Sequence, residues 1–128
     1  MNATAPTQTN APRLRRARLT TGPLAPSQAR EVVRSALRSW GVPVDEDIAV
    51  LLTSDLVTCA IRHAAGETIT LGVSATDKRL RVDLLGTALA DAPLDEETGR
   101  GLILVARLAD TWSFYRTPAG KAVYFTLV

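Results

Sequence analysis

The sequence predicts a two-layer α/β sandwich, in which a mostly antiparallel mixed sheet carries three helices on one face. Two stretches with the three-and-four spacing of amphipathic helices follow one another directly along the chain. Two later pairs of strand-like segments are each joined by a short turn and therefore predict hairpins. Consecutive helices together with hairpin-paired strands favour this architecture over a Rossmann-type alternation.

Length and composition predict one folded domain. The 128 residues, 46% of them hydrophobic, suffice for one hydrophobic core but not for two. The 15 basic and 13 acidic residues nearly balance, and the single cysteine excludes an intramolecular disulfide and a cysteine-based zinc cluster. Because no apolar run approaches the length of a membrane span, and the N-terminus lacks the apolar core of a signal peptide, we expect a soluble cytoplasmic protein without a membrane partner.

The N-terminal segment is predicted to be a disordered basic tail over residues 1–16, with the folded domain at 17–128. The first twelve residues are rich in Thr, Ala, Asn and Pro, and they cannot bury enough surface to offset the entropy of ordering them. The arginines of "RLRRARL" lack interleaved aromatic residues, so a solvated basic lead-in to the first strand is favoured over a nucleic-acid or acidic-partner contact.

The first helix is predicted to begin near Ser27, which can cap it, and to end at Gly41. Its apolar stripe faces the core. The opposite side carries Arg30, Arg34 and Arg38, a positive stripe that fits either an acidic partner or a solvated helix face.

The second helix is predicted to begin at residues 45–48, whose acids suit the positive end of a helix dipole, and to end at Gly66. Asp55, Cys59 and His63 follow one another at four-residue spacing, which places them on one helix face. The buried stripe of this helix is predicted to contain Ile48, Leu52, Leu56 and Ala60.

The second half of the chain is predicted to contain a hairpin, a long loop, a third helix and a second hairpin. Alternation over residues 68–75 indicates a strand with one wet face, followed by a strand over 80–85. Residues 86–98 have no periodicity and predict a loop of the length that often carries function. Residues 99–110 are apolar nearly all round, so this helix is expected to be largely buried. The last two strands are expected at 112–116 and 121–128.

These segments resemble, in the same order, the small bacterial anti-sigma-factor serine kinases of the GHKL superfamily, which share the Bergerat fold of histidine kinase-like ATPases. The similar segments are "LLTSDLVTCAIRHA", "GRGLILVARLAD" and "TPAGKAVYFTLV", within residues 17–128. The resemblance implies ATP and magnesium as cofactors, a sigma factor or anti-sigma antagonist as partner, and a possible homodimer.

Two residues of the second helix depart from the family pattern. The resemblance implies a glutamate as general base and, four residues later, an asparagine that holds magnesium. Asp55 stands at the base position and is one methylene shorter, although a base must lie within about 3 Å of its proton. Cys59 stands at the metal position, where magnesium requires oxygen. We therefore expect a vestigial base and no metal ligand.

The adenine contacts also depart from the pattern. The family's adenine-binding aspartate corresponds to Gly86 or its neighbours, and Asp83 could replace it only through a one-residue slip that turns it to the other face of the strand. A supporting threonine is replaced by Ala122. The glycines around Arg100 keep the features of a phosphate-facing loop. The nucleotide-binding set implied by the resemblance is Cys59, His63, Gly86, Thr87, Gly99, Arg100, Gly101, Leu102 and Ala122.

Three functions compete on this sequence. The lost base, metal and adenine side chains favour a degenerate ATP-binding domain that acts by protein–protein binding in transcriptional control, with weak or absent binding of ATP and magnesium. Its expected partner surface is the stripe of Arg30, Arg34 and Arg38. The alternatives are an active ATP- and magnesium-dependent serine protein kinase and a nucleic-acid binder that uses the N-terminal arginines.

Overall fold

The computed structural model describes residues 13–62, 66–86, 102–118 and 120–128. Within these ranges, strands β1 to β5 and helices α1 to α3 follow in the order β1, α1, α2, β2, β3, α3, β4, β5. The strands are Arg13–Thr20, Thr68–Ala75, Leu80–Gly86, Thr111–Thr117 and Gly120–Leu127. The helices are Ala25–Trp40, Glu46–Arg62 and Ile103–Leu108.

The five strands form one sheet in the order β1-β2-β3-β5-β4, and every pairing between them is antiparallel. The two-layer α/β sandwich predicted from the sequence is confirmed, although the parallel component implied by a mixed sheet is absent from the described strands. Both predicted hairpins are present, as β2 with β3 and β4 with β5. Strand β3 lies at the centre of the sheet, with β2 on one side and β5 on the other.

Strand β1 begins at Arg13, so residues 13–16 belong to the sheet and their assignment to a tail is wrong. Arg13 pairs with Ala75, and the register then runs without a break to Thr20 opposite Thr68. A strand at a sheet edge gains backbone hydrogen bonds whatever its side chains are, which the composition of this basic segment does not indicate. Residues 1–12 lie outside the described residues.

Helix α1 begins at Ala25, two residues before the predicted start. Ser27 does not cap the helix, because its hydroxyl donates to the carbonyl oxygen of Leu24 at 3.0 Å. Proline is well suited to a first turn, where its missing N–H leaves no hydrogen bond unmade, and Pro26 lies there. The predicted end is confirmed: Gly41 adopts a left-handed conformation with φ 66° and donates to Leu37.

The core lies between one face of the sheet and the helices. Inward side chains alternate along β2, β3 and β5, and the largest fully buried ones include Leu71, Leu84 and Phe125. Helix α2 buries Leu52 and Leu56 against them, as its sequence stripe predicts. This layer places one face of α2 beside α3 and leaves the opposite face of the sheet without a described covering element.

Helix α3 is more exposed than its sequence suggests. Val105 is the one helical residue that is buried, while Ile103, Leu104 and Leu108 are 52%, 38% and 43% exposed. The prediction of a largely buried third helix is therefore wrong. A helix of six residues that packs at the edge of the α-layer can bury only one of its sides, however apolar the others are.

Candidate functional site

Asp55 lies where α2 passes the first turn of α3. Its Oδ2 accepts a hydrogen bond from the backbone N–H of Val105 at 3.2 Å, and the N–H of Leu104 also interacts with this carboxylate. The first N–H groups of a helix have no partner within it, and a side-chain oxygen can satisfy them. Asp55 therefore caps α3 from a neighbouring helix, and its carboxylate is already bonded inside the fold.

The pKa of Asp55 is raised above its ordinary value because burial disfavours the charged carboxylate. The backbone N–H groups of Val105 and Leu104, and more weakly the charge of Arg62, act in the opposite direction. Helix capping thus offsets part of the cost of burying the charged form of this side chain.

Cys59 lies one helical turn beyond Asp55 and is only 6% exposed. Burial raises the pKa of its thiol, and the negative charge of Asp55 raises it further, against the opposing charge of Arg62. A buried, protonated thiol is a poor ligand for a hard cation. Among the described residues, no cluster of three His, Cys, Asp or Glu side chains could hold a metal ion.

The remaining residues of the predicted nucleotide site are only partly described. Leu102 is buried and immediately precedes α3, and Gly86 is buried at the end of β3. The other predicted members of this stretch and of α2 lie outside the described residues: His63, Thr87, Gly99, Arg100 and Gly101. The structure therefore brings Asp55, Cys59 and Leu102 to the region where α2 and α3 meet.

Asp83 and Ala122, two residues considered for the adenine contact, lie across the sheet from this region. Side chains alternate between the faces of a strand, so Asp83 and Gly86 fall on opposite faces of β3. Asp83 instead accepts two hydrogen bonds from Arg81, at 2.8 and 2.9 Å, and one from the hydroxyl of Tyr115. Ala122 pairs between Leu85 and Tyr115 on that same outer side, so it is not grouped with Asp55.

The arginines of α1 do not form a free positive stripe. Arg38 makes a bidentate contact with Glu46 at 3.0 and 3.1 Å, and Arg34 lies 3.6 Å from the same carboxylate. Arg30 donates to the hydroxyl of Ser54 at 2.8 Å. These contacts join α1 to α2, and Arg34 also pairs with Glu31 within α1. Sequence periodicity separates these arginines from the apolar stripe, but it cannot show that acceptors on α2 lie opposite them.

The outer face of the sheet contains a groove that the sequence analysis did not identify. The outer groove, as we name it, has a volume of about 540 Å³ and crosses the sheet from Arg16 and Arg18 on β1, over Gly72 on β2, to Tyr115 on β4. The side chains of Arg16 and Arg18 form no hydrogen bond or ion pair with another described residue. A sequence signal existed, because glycine inside a strand often marks a place where another molecule approaches closely.

Comparison of the chain with known protein families and with curated proteins finds no match. Across the described residues, no helix has both the length and the apolar character required to cross a membrane.

Proposed function

We propose that this protein is a non-catalytic regulatory domain of the anti-sigma-factor serine kinase-like class, which acts by binding a partner protein in transcriptional control. The observation that carries the proposal is the capping of α3 by Asp55. A general base must reach the proton of its substrate, and this carboxylate is instead engaged by backbone N–H groups of the protein itself.

Cys59 supports the same proposal from the cofactor side. The position that would hold magnesium in the kinases carries a buried thiol whose pKa is raised. Without an oxygen ligand there, the ATP phosphates lose the cation that would connect them to α2. The outer-face position of Asp83 leaves the inner end of β3 without the carboxylate that would select adenine.

Calorimetric titration of the protein with ATP and magnesium tests this proposal. We expect binding weaker than about 100 μM and no magnesium dependence, because Cys59 and Gly86 stand where the resemblance implies the metal and adenine side chains. The restoring variant Cys59→Asn with Gly86→Asp should bind more tightly than the wild type. Micromolar wild-type binding that requires magnesium would overturn the proposal and favour an active kinase.

A steady-state phosphate-release assay provides the catalytic arm of the test. We expect no turnover above the background of a heat-denatured sample. Asp55→Asn is the matched control, because it keeps an oxygen acceptor for the N–H of Val105 and removes the base. Magnesium-dependent turnover that this substitution abolishes would show that Asp55 is catalytic.

A further inference from the structure

The outer groove has the composition of a binding site for an anionic partner. Arg16 and Arg18 are exposed, lie two residues apart on β1 and therefore point to the same side of the sheet. Lys121 is a third basic residue along the groove. Among the described lining residues the one acidic side chain is Asp83, which is neutralised by its bidentate contact with Arg81. Within the described residues, the groove therefore carries an uncompensated positive charge at its β1 side.

Gly72 gives the groove its depth. Gly72 pairs with Arg16 on one side and Asp83 on the other, so it lies in the middle of the row that crosses the groove. A Cβ atom added at Gly72 would lie 3.8 Å from the Cβ of Asp83, which is ordinary contact. A side chain would therefore fit at this position, and because the residue is glycine, the space on the outer face is not filled by the protein itself. Polypeptide backbone can approach a strand most closely at such a position.

The side chains of β2 that line the outer groove can form hydrogen bonds with the polar groups of an extended peptide. Thr68, Thr70 and Ser74 present hydroxyl groups along β2, and Leu14, which is 61% exposed, supplies an apolar contact beside the arginines. Hydroxyl groups both donate and accept hydrogen bonds, whereas arginine only donates and binds carboxylates in a bidentate geometry. Alternate side chains of an extended peptide share the spacing of Arg16 and Arg18, about 6.8 Å, since each strand residue rises by about 3.4 Å.

The aromatic residues of this face argue against a single-stranded nucleic acid as the occupant. Bases bind open sheets by stacking on free aromatic rings. The ring of Tyr124 is covered by the guanidinium of Arg81 at 4.0 Å, and the hydroxyl of Tyr115 is held by Asp83. The same guanidinium lies 5.7 Å from the ring centroid of Tyr115, so a base that stacked on the Arg81 side of either ring would have to displace it.

We propose that the outer groove binds an acidic extended segment of a partner protein, with carboxylates at alternate positions on Arg16 and Arg18 and the peptide backbone over Gly72. This inference takes one assumption from the proposed function, namely that the partner is a protein. Its site lies on the other face of the sheet from Asp55, so the two proposals can fail separately.

Fluorescence anisotropy with a labelled octapeptide of alternating Glu and Thr tests the inference on the full-length chain. We expect saturable binding that weakens as salt rises, and no binding of the neutral peptide in which Gln replaces Glu. Arg16→Ala with Arg18→Ala should weaken binding about tenfold, as expected for the loss of two exposed ion pairs. Lys78→Ala with Arg79→Ala is the matched control, because it removes the same charge from the exposed β2–β3 turn, and it should change affinity less than twofold.

Gly72→Thr tests the shape of the groove without changing its charge. The new side chain repeats Thr68 and Thr70 and suits a strand, so we expect an unchanged or higher melting temperature together with at least tenfold weaker peptide binding. The inference is overturned if the two arginine pairs have equal effects, if Gly72→Thr binds normally, or if a single-stranded oligonucleotide of equal charge binds more tightly than the peptide. Micromolar magnesium-ATP binding would overturn the proposed function and leave this inference standing.

Discussion

The two faces of the sheet use their polar groups in opposite ways. On the helix side, Asp55 accepts a hydrogen bond from the backbone of α3, and Cys59, one helical turn along α2, is buried. On the outer side, the side chains of Arg16 and Arg18 are exposed and have no hydrogen-bonding or ionic partner among the described residues. Residues with the spacing of a catalytic motif therefore do not by themselves form a catalytic site. What matters is whether the polar atoms are still available to a second molecule.

The largest difference between the two faces should be seen in the free energy of unfolding when two adjacent residues of β2, one on each face, are replaced by alanine. Leu71 is fully buried toward the helices, and Thr70 points to the outer groove. We expect Leu71→Ala to lower the free energy of unfolding by about 2–5 kcal/mol, and Thr70→Ala to change it by less than about 0.5 kcal/mol. Urea denaturation measures both. If both variants lost the same free energy of unfolding, the outer face would be covered by another part of the protein and would not be an open surface.

Tyr115→Phe should have the next largest effect, because it removes the hydroxyl that donates to Asp83. We expect a loss of about 1 kcal/mol in the free energy of unfolding. Burial, reinforced by the negative charge and hydrogen bond of Asp83, raises the pKa of Tyr115 to about 12. Its stabilising effect should therefore be complete below the ordinary pKa of about 10 and be lost as the pH rises toward 12.

Absorbance titration of the phenolate checks this assignment. Tyr115→Phe should remove the component that titrates near pH 12. Tyr124→Phe is the matched control, because it keeps the ring beneath Arg81 and leaves the hydroxyl contact with Asp83 in place. The assignment is wrong if the control variant removes that component.

Asp55→Ala should cost about 1 kcal/mol, the typical cost of losing a helix cap, and Asp55→Asn should cost less because it keeps an acceptor. The raised pKa of Asp55 gives a definite sign to the pH dependence. Relative to the Asn variant, the wild type should be most stable below the ordinary carboxyl pKa and lose that advantage as the pH rises through the raised value. Denaturation curves at pH 4.5 and pH 7 measure this change, and an advantage that grows with pH would contradict it.

The smallest effects are expected in the arginine stripe. The Arg38 side chain is 68% exposed, so Arg38→Ala should leave the midpoint of urea denaturation unchanged, as is common for exposed ion pairs. Arg30→Ala should be the more damaging of the two, at about 0.5–1 kcal/mol, because its hydrogen bond with Ser54 is partly buried. The reverse order would indicate that the exposed pairs with Glu46 hold α1 against α2.

The sequence by itself determined the layers of this fold. Periods of about 3.6 and 2 are local properties of helices and strands, so they located α1, α2 and both hairpins and assigned most inward residues correctly. Gly41 was recognisable as a helix end because a left-handed residue is required there. Local chemistry failed at the start of the edge strand β1 and at the burial of the short helix α3, because both depend on what packs beside these elements.

Only the tertiary structure decided which polar groups are available. The capping of α3 by Asp55 joins residues 50 positions apart, and the contact of Arg30 with Ser54 joins residues 24 positions apart. Helix and strand periodicity cannot predict contacts between residues so far apart in the sequence, because these contacts depend on how α1, α2 and α3 pack together. The outer groove forms for the same reason: sheet pairing places Arg16 beside Gly72 and Asp83, although Arg16 lies far from both along the chain.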